Sequence, residues 1–368
     1  MITIVIRLFL HQISQLSIMN LLTINFLETI YKKEKEASLS GKWIRFKNIK
    51  NLLNKYEDAF QIIELGTSEK GTPIYTLQIG TGEKNILLWS QMHGNESTGT
   101  KALFDLFNCF LNSKEEEEII TILERCTLLF IPMLNPDGAE AYTRVNGNNI
   151  DLNRDAVARK AKESKLLRTA LEAFKPQFCF NLHDQRTIFN VESTKNPATI
   201  SFLAPSEEAS RALTKGRKET MNVIIAMNTL LQQVIPNHVG RYTDEFYPTA
   251  TGDNFQKLGF NTILIESGHY PKDYIREESR KFTFFSILQG IYYISKTTNF
   301  TSYKAYFSIP NNDKMFYDVI HRFTNSQKDV GFQFRDEIIE GKLVSKLEEI
   351  DKMTLKDKFG HHEIVFES

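Results

Sequence analysis

Residues 85–106 read NILLWSQMHGNESTGTKALFDL, an apolar run that passes into a helical pattern across a loop holding His93 and Glu96. The run over 85–92 is short and almost continuously apolar, as expected of a strand buried on both faces. Gly94 and Ser97-Thr98-Gly99 punctuate it, and Leu103, Phe104, Leu106, Phe107 and Leu111 then recur at helical spacing. The pair therefore falls on a strand-to-helix loop at the carboxyl end of a strand, where open α/β sheets place ligand sites. Taken alone, such a pair is more often a solvated loop or a satisfied core histidine than a metal site.

The texture around it repeats. Apolar strand patterns over 73–79, 127–133, 177–182 and 260–265 alternate with helical patterns over 97–111, 160–174, 207–233 and 274–295. This alternation predicts an α/β fold, a mixed central sheet with helices on both faces. Beyond 297 the runs VGFQF, KLVSKLEEI and HHEIVF are short and partly alternating, and predict a small β-rich C-terminal appendage. The expected division is an N-terminal helical extension over 1–50, the α/β domain over 51–297 and the appendage over 298–368.

Bulk composition narrows the class. The chain has 368 residues, 45 basic against 45 acidic, with 41% apolar, so it reads as a soluble globular protein with no overall basic footprint for nucleic acid or anionic lipid. Cys109, Cys126 and Cys179 are odd in number and set among apolar neighbours, as buried hydrophobes in a reducing compartment would be. The opening MITIVIRLFLHQISQLSIMNLL carries Arg7 inside its apolar run, and no small-residue cleavage site follows. That argues against a signal peptide and for a cytoplasmic protein, with the segment an amphipathic helix or an over-long start before Met19. No run is long enough for a membrane span.

A catalytic zinc site takes three protein ligands and leaves one position open. His183, ending the apolar run FCFNLHD, can join His93 and Glu96. Between them lies LNPDGAEAYTRVNGNNIDLNRDA, residues 134–156, in which NPDG reads as a turn after a strand. Arg144, Asn146, Asn148, Asn149, Asp151, Asn153 and Arg154 then crowd together, too polar for a core segment. Arginine forks suit a carboxylate or a developing oxyanion. Glu266 closes the last apolar strand pattern, TILIE, where a carboxylate calls for a partner or a catalytic task.

In this order, His93-x-x-Glu96, NPDG, Arg144, Asp151-Leu-Asn153-Arg154, His183 and Glu266 resemble the zinc metallocarboxypeptidases of the carboxypeptidase A and E type, over roughly residues 70–295. HGNE and NNIDLNR look closer to the carboxypeptidase E-like branch. The resemblance implies a catalytic domain over 51–297, with zinc ligands His93, Glu96 and His183. It makes Glu266 the general acid/base, Arg144 the oxyanion partner, and Asn153 with Arg154 the clamp on the substrate's terminal carboxylate. Asp151 matches the carboxylate that orients the first histidine. The family also places a tyrosine on a mobile loop upstream of the glutamate; Tyr242 and Tyr247 are both open for that role, and Asp253 nearby hints at a basic terminal side chain. The implied activity is removal of a C-terminal residue from a peptide, or cleavage of a small amide, bearing a free C-terminal carboxylate. Rival expectations are an aspartoacylase-like deacylase or amidase, a peptidoglycan-stem peptidase, and a non-enzymatic binding module with or without zinc. The last would predict loss of Glu266 or a ligand, and none is lost.

Overall fold

The structure is a computed structural model that describes residues 20–324 and 328–367. The expected amphipathic or over-long start lies outside the described residues. Helices α1 (Ile24–Glu34) and α2 (Phe46–Leu53) lead into strands β1 (Gln61–Thr67), β2 (Pro73–Ile79) and β3 (Lys84–Trp89). Then follow α3 (Thr98–Asn112), α4 (Glu117–Arg125), β4 (Cys126–Ile131), α5 (Pro136–Ala141), α6 (Lys162–Phe174), β5 (Phe178–Asp184), β6 (Phe189–Val191) and β7 (Ile200–Leu203). The α/β part closes with α7 (Lys215–Leu231), β8 (Val239–Arg241), α8 (Thr251–Lys257), β9 (Asn261–Ser267) and α9 (Glu277–Lys296).

Eight of these strands form one sheet in the order β1-β2-β4-β3-β5-β9-β7-β8. Its centre, β4-β3-β5-β9, is parallel, while β2 pairs antiparallel with β1 and β4, and β7 pairs antiparallel with β9. This is the mixed sheet expected. Successive side chains of a strand point to opposite faces, so Ile86 and Leu88 enter one core while Leu87 and Trp89 enter the other. The larger core is closed by α1, α3, α4, α7 and α9, the smaller by α6 and Phe255 of α8. Burial on both faces is why the central strands read as continuous apolar runs.

Two sequence expectations change. The helix expected from 207 begins at Lys215, because the Thr214 side chain caps it by accepting from the Arg217 amide, and the polar stretch before it is not helical. NPDG is not a simple turn: it opens α5, with Asn135 as the cap accepting from the Gly138 amide and Pro136 at the first helical position.

The C-terminal appendage is present as a four-stranded sheet. Strand β10 (Asn312–Lys314) pairs with β6, and β11 (Phe316–Phe323), β12 (Asp329–Ile339), β13 (Lys342–Met353) and β14 (Phe359–Phe366) form the order β13-β12-β11-β14. All three cysteines are buried and unpaired. Among the described residues no helix is long and apolar enough to cross a membrane.

The N-terminal segment is tied to this body by a fully buried ion pair. Arg280 of α9 grips Asp105 of α3 through two hydrogen bonds, of 2.7 and 2.6 Å, and donates as well to the carbonyls of Glu36 and Leu39. Asp105 in turn accepts the Glu36 amide at 2.7 Å. Removing one partner strands the other charge, which typically costs about 3–5 kcal/mol, whereas replacing both with apolar groups is often near neutral. Arg280→Met is therefore expected to lower the urea unfolding midpoint strongly, and Asp105→Leu/Arg280→Met to recover much of the loss. A single variant as stable as wild type would remove this pair from the fold's supports.

Candidate active site

The carboxyl ends of β3, β5 and β9 converge on one spot. After β3 the chain turns through Gln91, which takes a left-handed φ of 52°. Its amide group donates to the carbonyls of Ile44 and Gly94, both at 2.8 Å, and accepts the Thr100 hydroxyl, which holds the turn. Gly94 is required by close approach: a Cβ there would lie 1.9 Å from the Gly138 carbonyl carbon. The loop carrying His93 and Glu96 thus rests directly on α5, and the Asn135 amide clips it by donating to the Met92 carbonyl at 3.1 Å.

Within this frame the ring nitrogens are sorted. His93 Nε2 faces Asp151 Oδ1 at 3.1 Å, leaving Nδ1 turned towards Glu96 Oε1 at 2.8 Å. His183, at the end of β5, brings its Nδ1 to 2.8 Å from Glu96 Oε2 and 3.1 Å from His93 Nδ1. One ligand atom from each of the three residues falls within 4.8 Å of the others. Ligand atoms around a tetrahedral zinc with metal–nitrogen distances of about 2.0–2.1 Å stand roughly 3.3 Å apart, so this donor set fits such an ion. The carboxylate that fixes His93 is also what a metal-binding histidine needs on its far nitrogen.

Charge follows the same geometry. Burial opposes ionisation of Glu96, but His93 and His183 outweigh it and hold the carboxyl well below its ordinary range. Burial disfavours the His93 cation, yet Glu96 and Asp151 raise its pKa, whereas for His183 burial prevails and lowers it. Asp151 is partly buried, but its contacts with His93 and Arg144 keep it ionised well below the usual carboxylate range. Arg144 donates to Asp151 Oδ2 at 2.9 Å and reaches Glu96 at 3.4 Å, with its side chain still half exposed at the rim.

Glu266 stands beside His183, paired with it in the parallel register of β5 and β9. Burial first, then Glu96 and Asp184, push its pKa well above the ordinary value against the pull of Arg144 and Arg276. Tyr242 is mostly buried and close enough to Glu266 for that acid to help raise its phenol. A second group lies one turn of chain from Asp151. Arg154 is exposed and donates to the Asn153 carbonyl at 2.6 Å, while Asn153 Oδ1 accepts the Thr251 amide at the start of α8. Asp253 and Tyr247 sit within the electrostatic reach of Arg154, and Asp253 accepts the Tyr247 amide at 3.0 Å. Tyr247 itself is 51% exposed, with its hydroxyl on Glu245.

The polar stretch 144–154 divides between two tasks. Arg144 and Asp151 belong to the site, but Asn146 builds the loop, accepting the amides of Asn148 and Ile150 and donating to Glu163. Sequence reasoning passed over Asp184 and Arg276. Asp184 accepts the amide and hydroxyl of Thr98 at the start of α3, and its position directly after His183 was an available signal. Arg276 joins the loops after β5 and β9 through the carbonyls of Gln185, Ser267 and Gly268, and nothing local in sequence marks it.

Comparison with known proteins agrees with this geometry. A family model described as zinc carboxypeptidase matches residues 47–235, a span that ends before Tyr242, Tyr247, Asp253 and Glu266. Carboxypeptidase SOL1 of Arabidopsis thaliana is 24% identical over 188 residues, 46% of this chain and 38% of that protein. Carboxypeptidase E of Caenorhabditis elegans is 30% identical over 115 residues, 26% of this chain and 24% of that protein. The chain therefore spans well under half the length of these relatives. Among solved structures, carboxypeptidase A from Helicoverpa armigera has a TM-score of 0.56 at 14% identity, covering 75% of this chain and 81% of that one. The metallo-carboxypeptidase from Burkholderia cenocepacia has a TM-score of 0.54 at 17% identity, with 68% of each chain covered. These structural likenesses establish the fold.

Burial pushes the Asp253 carboxyl up to about 6, against the opposing Tyr247 amide and Arg154. The folded protein then binds this proton more tightly than the unfolded chain does, so the associated stability is present below about pH 4 and is lost as pH rises through about 6. Asp253→Asn keeps an acceptor for Tyr247 and never ionises. It is expected to match wild type near pH 4 and to be the more stable protein at pH 7, by up to about 3 kcal/mol. Urea titrations at the two pH values read the difference, and a gap that does not widen would show that ionised Asp253 is not held against burial.

Proposed function

For a chain that belongs to the zinc carboxypeptidase family, we propose hydrolysis of the last peptide bond of a substrate with a free C-terminal carboxylate, using zinc held by His93, Glu96 and His183. What carries the reading is the convergence of these three donors, with Glu266 one strand away and beside His183. Zinc, when bound, supplies Lewis acidity towards a water and a carbonyl oxygen. Glu266 takes the proton of the attacking water and passes it to the leaving amine, a task suited to a carboxyl whose pKa is raised. Arg144, anchored by Asp151 but open at the rim, meets the charge that develops on the carbonyl oxygen. Asn153 and Arg154 hold the terminal carboxylate, and this makes the enzyme an exopeptidase. Tyr247, exposed beside them on the 242–249 loop, is the tyrosine suited to cover the bound end, while Tyr242 is only partly exposed, packs its ring against Phe189 and feels the charge of Glu266.

The protein is expected to retain about one zinc per chain after dialysis and to lose it in His93→Ala and His183→Ala. Glu266→Gln should keep the metal yet drop turnover at least about a hundredfold. Metal analysis and initial rates on the same preparations separate binding from catalysis. Full zinc content in both histidine variants, or turnover in Glu266→Gln within a fewfold of wild type, would overturn the corresponding role.

The clamp is tested by the substrate's end. Amidation removes a charge-assisted contact worth on the order of 2–3 kcal/mol. Free-acid peptides should be cleaved roughly thirty- to a hundred-and-fiftyfold better in kcat/KM than their amides, and Arg154→Ala should erase most of that ratio. Equal rates on acid and amide by the wild-type protein would shift the reading to an amidase or deacylase.

A further inference from the structure

A cleft of about 490 Å³ opens beside Glu96 and Arg144 and extends to the C-terminal sheet, whose Asp318, Phe334 and Ile350 help to line it. That volume lies within the usual range of ligand pockets. Asn153, Arg154, Tyr247 and Asp253 take no part in its lining. With the terminal carboxylate on Asn153 and Arg154, the rest of the substrate has to leave the scissile bond on the opposite side, along this cleft. The sheet is fastened there as a wall. Asp336 of β12 pairs with Lys42 and accepts the Tyr142 hydroxyl at 3.2 Å, and His361 of β14 donates to the Thr187 carbonyl at 2.9 Å.

Asp318 is the unexplained group in that wall. It is 1% exposed, and its Oδ2 accepts the Phe334 amide at 2.8 Å; Oδ1 is buried and completes no hydrogen bond of good geometry, with the Tyr274 phenol beside it and His361 near enough to feel its charge. Four of the cleft's cations are engaged elsewhere, Lys42 by Asp336, Arg144 by Asp151, Arg335 by Glu348 and Arg276 by backbone carbonyls, while Arg186, also in the lining, is exposed to solvent. His269, 2% exposed and lining the same cleft, also leaves its Nε2 unpartnered, as do the Tyr274 hydroxyl and one side-chain oxygen each of Asn95 and Asp184. Buried carboxylates are normally paired, because an isolated one is costly. Tyr274 and Phe334, edge-to-face at 5.2 Å, line the cleft as well, and aromatic faces attract cations.

We propose that this cleft binds a cationic nitrogen of the substrate upstream of the scissile bond, with Asp318 as its counter-ion. The inference rests on the carboxypeptidase reading. The nitrogen can come from a lysine or arginine side chain, or from the free α-ammonium of a short peptide.

Peptides sharing their last two residues, with lysine, norleucine or glutamate upstream and the N-terminus free or acetylated, separate these sources. The wild-type protein should cleave the acetylated lysine peptide about tenfold or more better in kcat/KM than its norleucine counterpart. Asp318→Asn, which keeps an acceptor for the Phe334 amide, should bring the two within about twofold while leaving the norleucine rate within about threefold of wild type. A free N-terminus that confers the same Asp318-dependent gain assigns the site to the α-ammonium. A preference for glutamate, or equal rates on lysine and norleucine peptides with both kinds of N-terminus, overturns the inference while acid-over-amide selectivity leaves the carboxypeptidase reading intact. If no peptide is cleaved, that reading fails by itself, and calorimetric titration of the same peptides into Glu266→Gln protein decides the inference. Tighter binding of the lysine peptide that Asp318→Asn abolishes supports it, and equal binding overturns it. The wild-type comparisons stand even if Asp318→Asn does not fold.

Discussion

One shared carboxylate organises the site. Asp151 holds His93 by its far ring nitrogen through one oxygen and Arg144 through the other. The first bond turns Nδ1 of His93 inward, and the second holds a cation next to the donor set. Because Asp151 also accepts the Asn153 amide, the chain leaving it has a set course towards the Asn153–Arg154 pair. The orientation of His93, the placement of Arg144 and the course of the chain towards Asn153 and Arg154 all depend on one side chain that the flanking charges keep ionised.

The sheet imposes the second constraint. Parallel strands in register bring their carboxyl ends to one edge, so His183 and Glu266 become neighbours although 83 positions of chain separate them. Two glutamates at these strand ends then diverge. Glu96 lies between two imidazoles and ionises readily, while Glu266 faces Glu96 and Asp184 across a buried space and holds its proton more strongly. Two glutamates of the same chemistry thereby acquire opposite tendencies, one to stay ionised and one to keep its proton, which are the tendencies that the proposed ligand and proton-carrier roles require.

Around this centre, glycine and asparagine do work that bulkier residues could not. Gly94 lets the loop after β3 rest on Gly138 of α5, and Asn135 caps α5 while clipping the loop. The C-terminal sheet adds a wall to a cleft that would otherwise open freely to solvent on that side, and places a buried acid in it.

What the sequence by itself determined was local. Continuous apolar runs announced strands buried on both faces, HxxE, FNLHD and TILIE marked where side chains would leave those strand ends, and DLNR marked a polar segment between them. Such patterns survive in one dimension because side-chain period and turn chemistry depend on residues a few positions apart. Tertiary structure decided the rest. It turned NPDG from an expected turn into a capped helix under the HGNE loop, drew Asn146 away from the site into loop building, and recruited Asp184 and Arg276. It also left Tyr242 partly buried within reach of Glu266 and Tyr247 exposed near Arg154, a difference that spacing could not show. Asp318 carries no motif at all; it acquires meaning only because the C-terminal sheet docks across the cleft. Contacts of this kind join residues tens to hundreds of positions apart, and only the packing of two cores against one sheet brings them together.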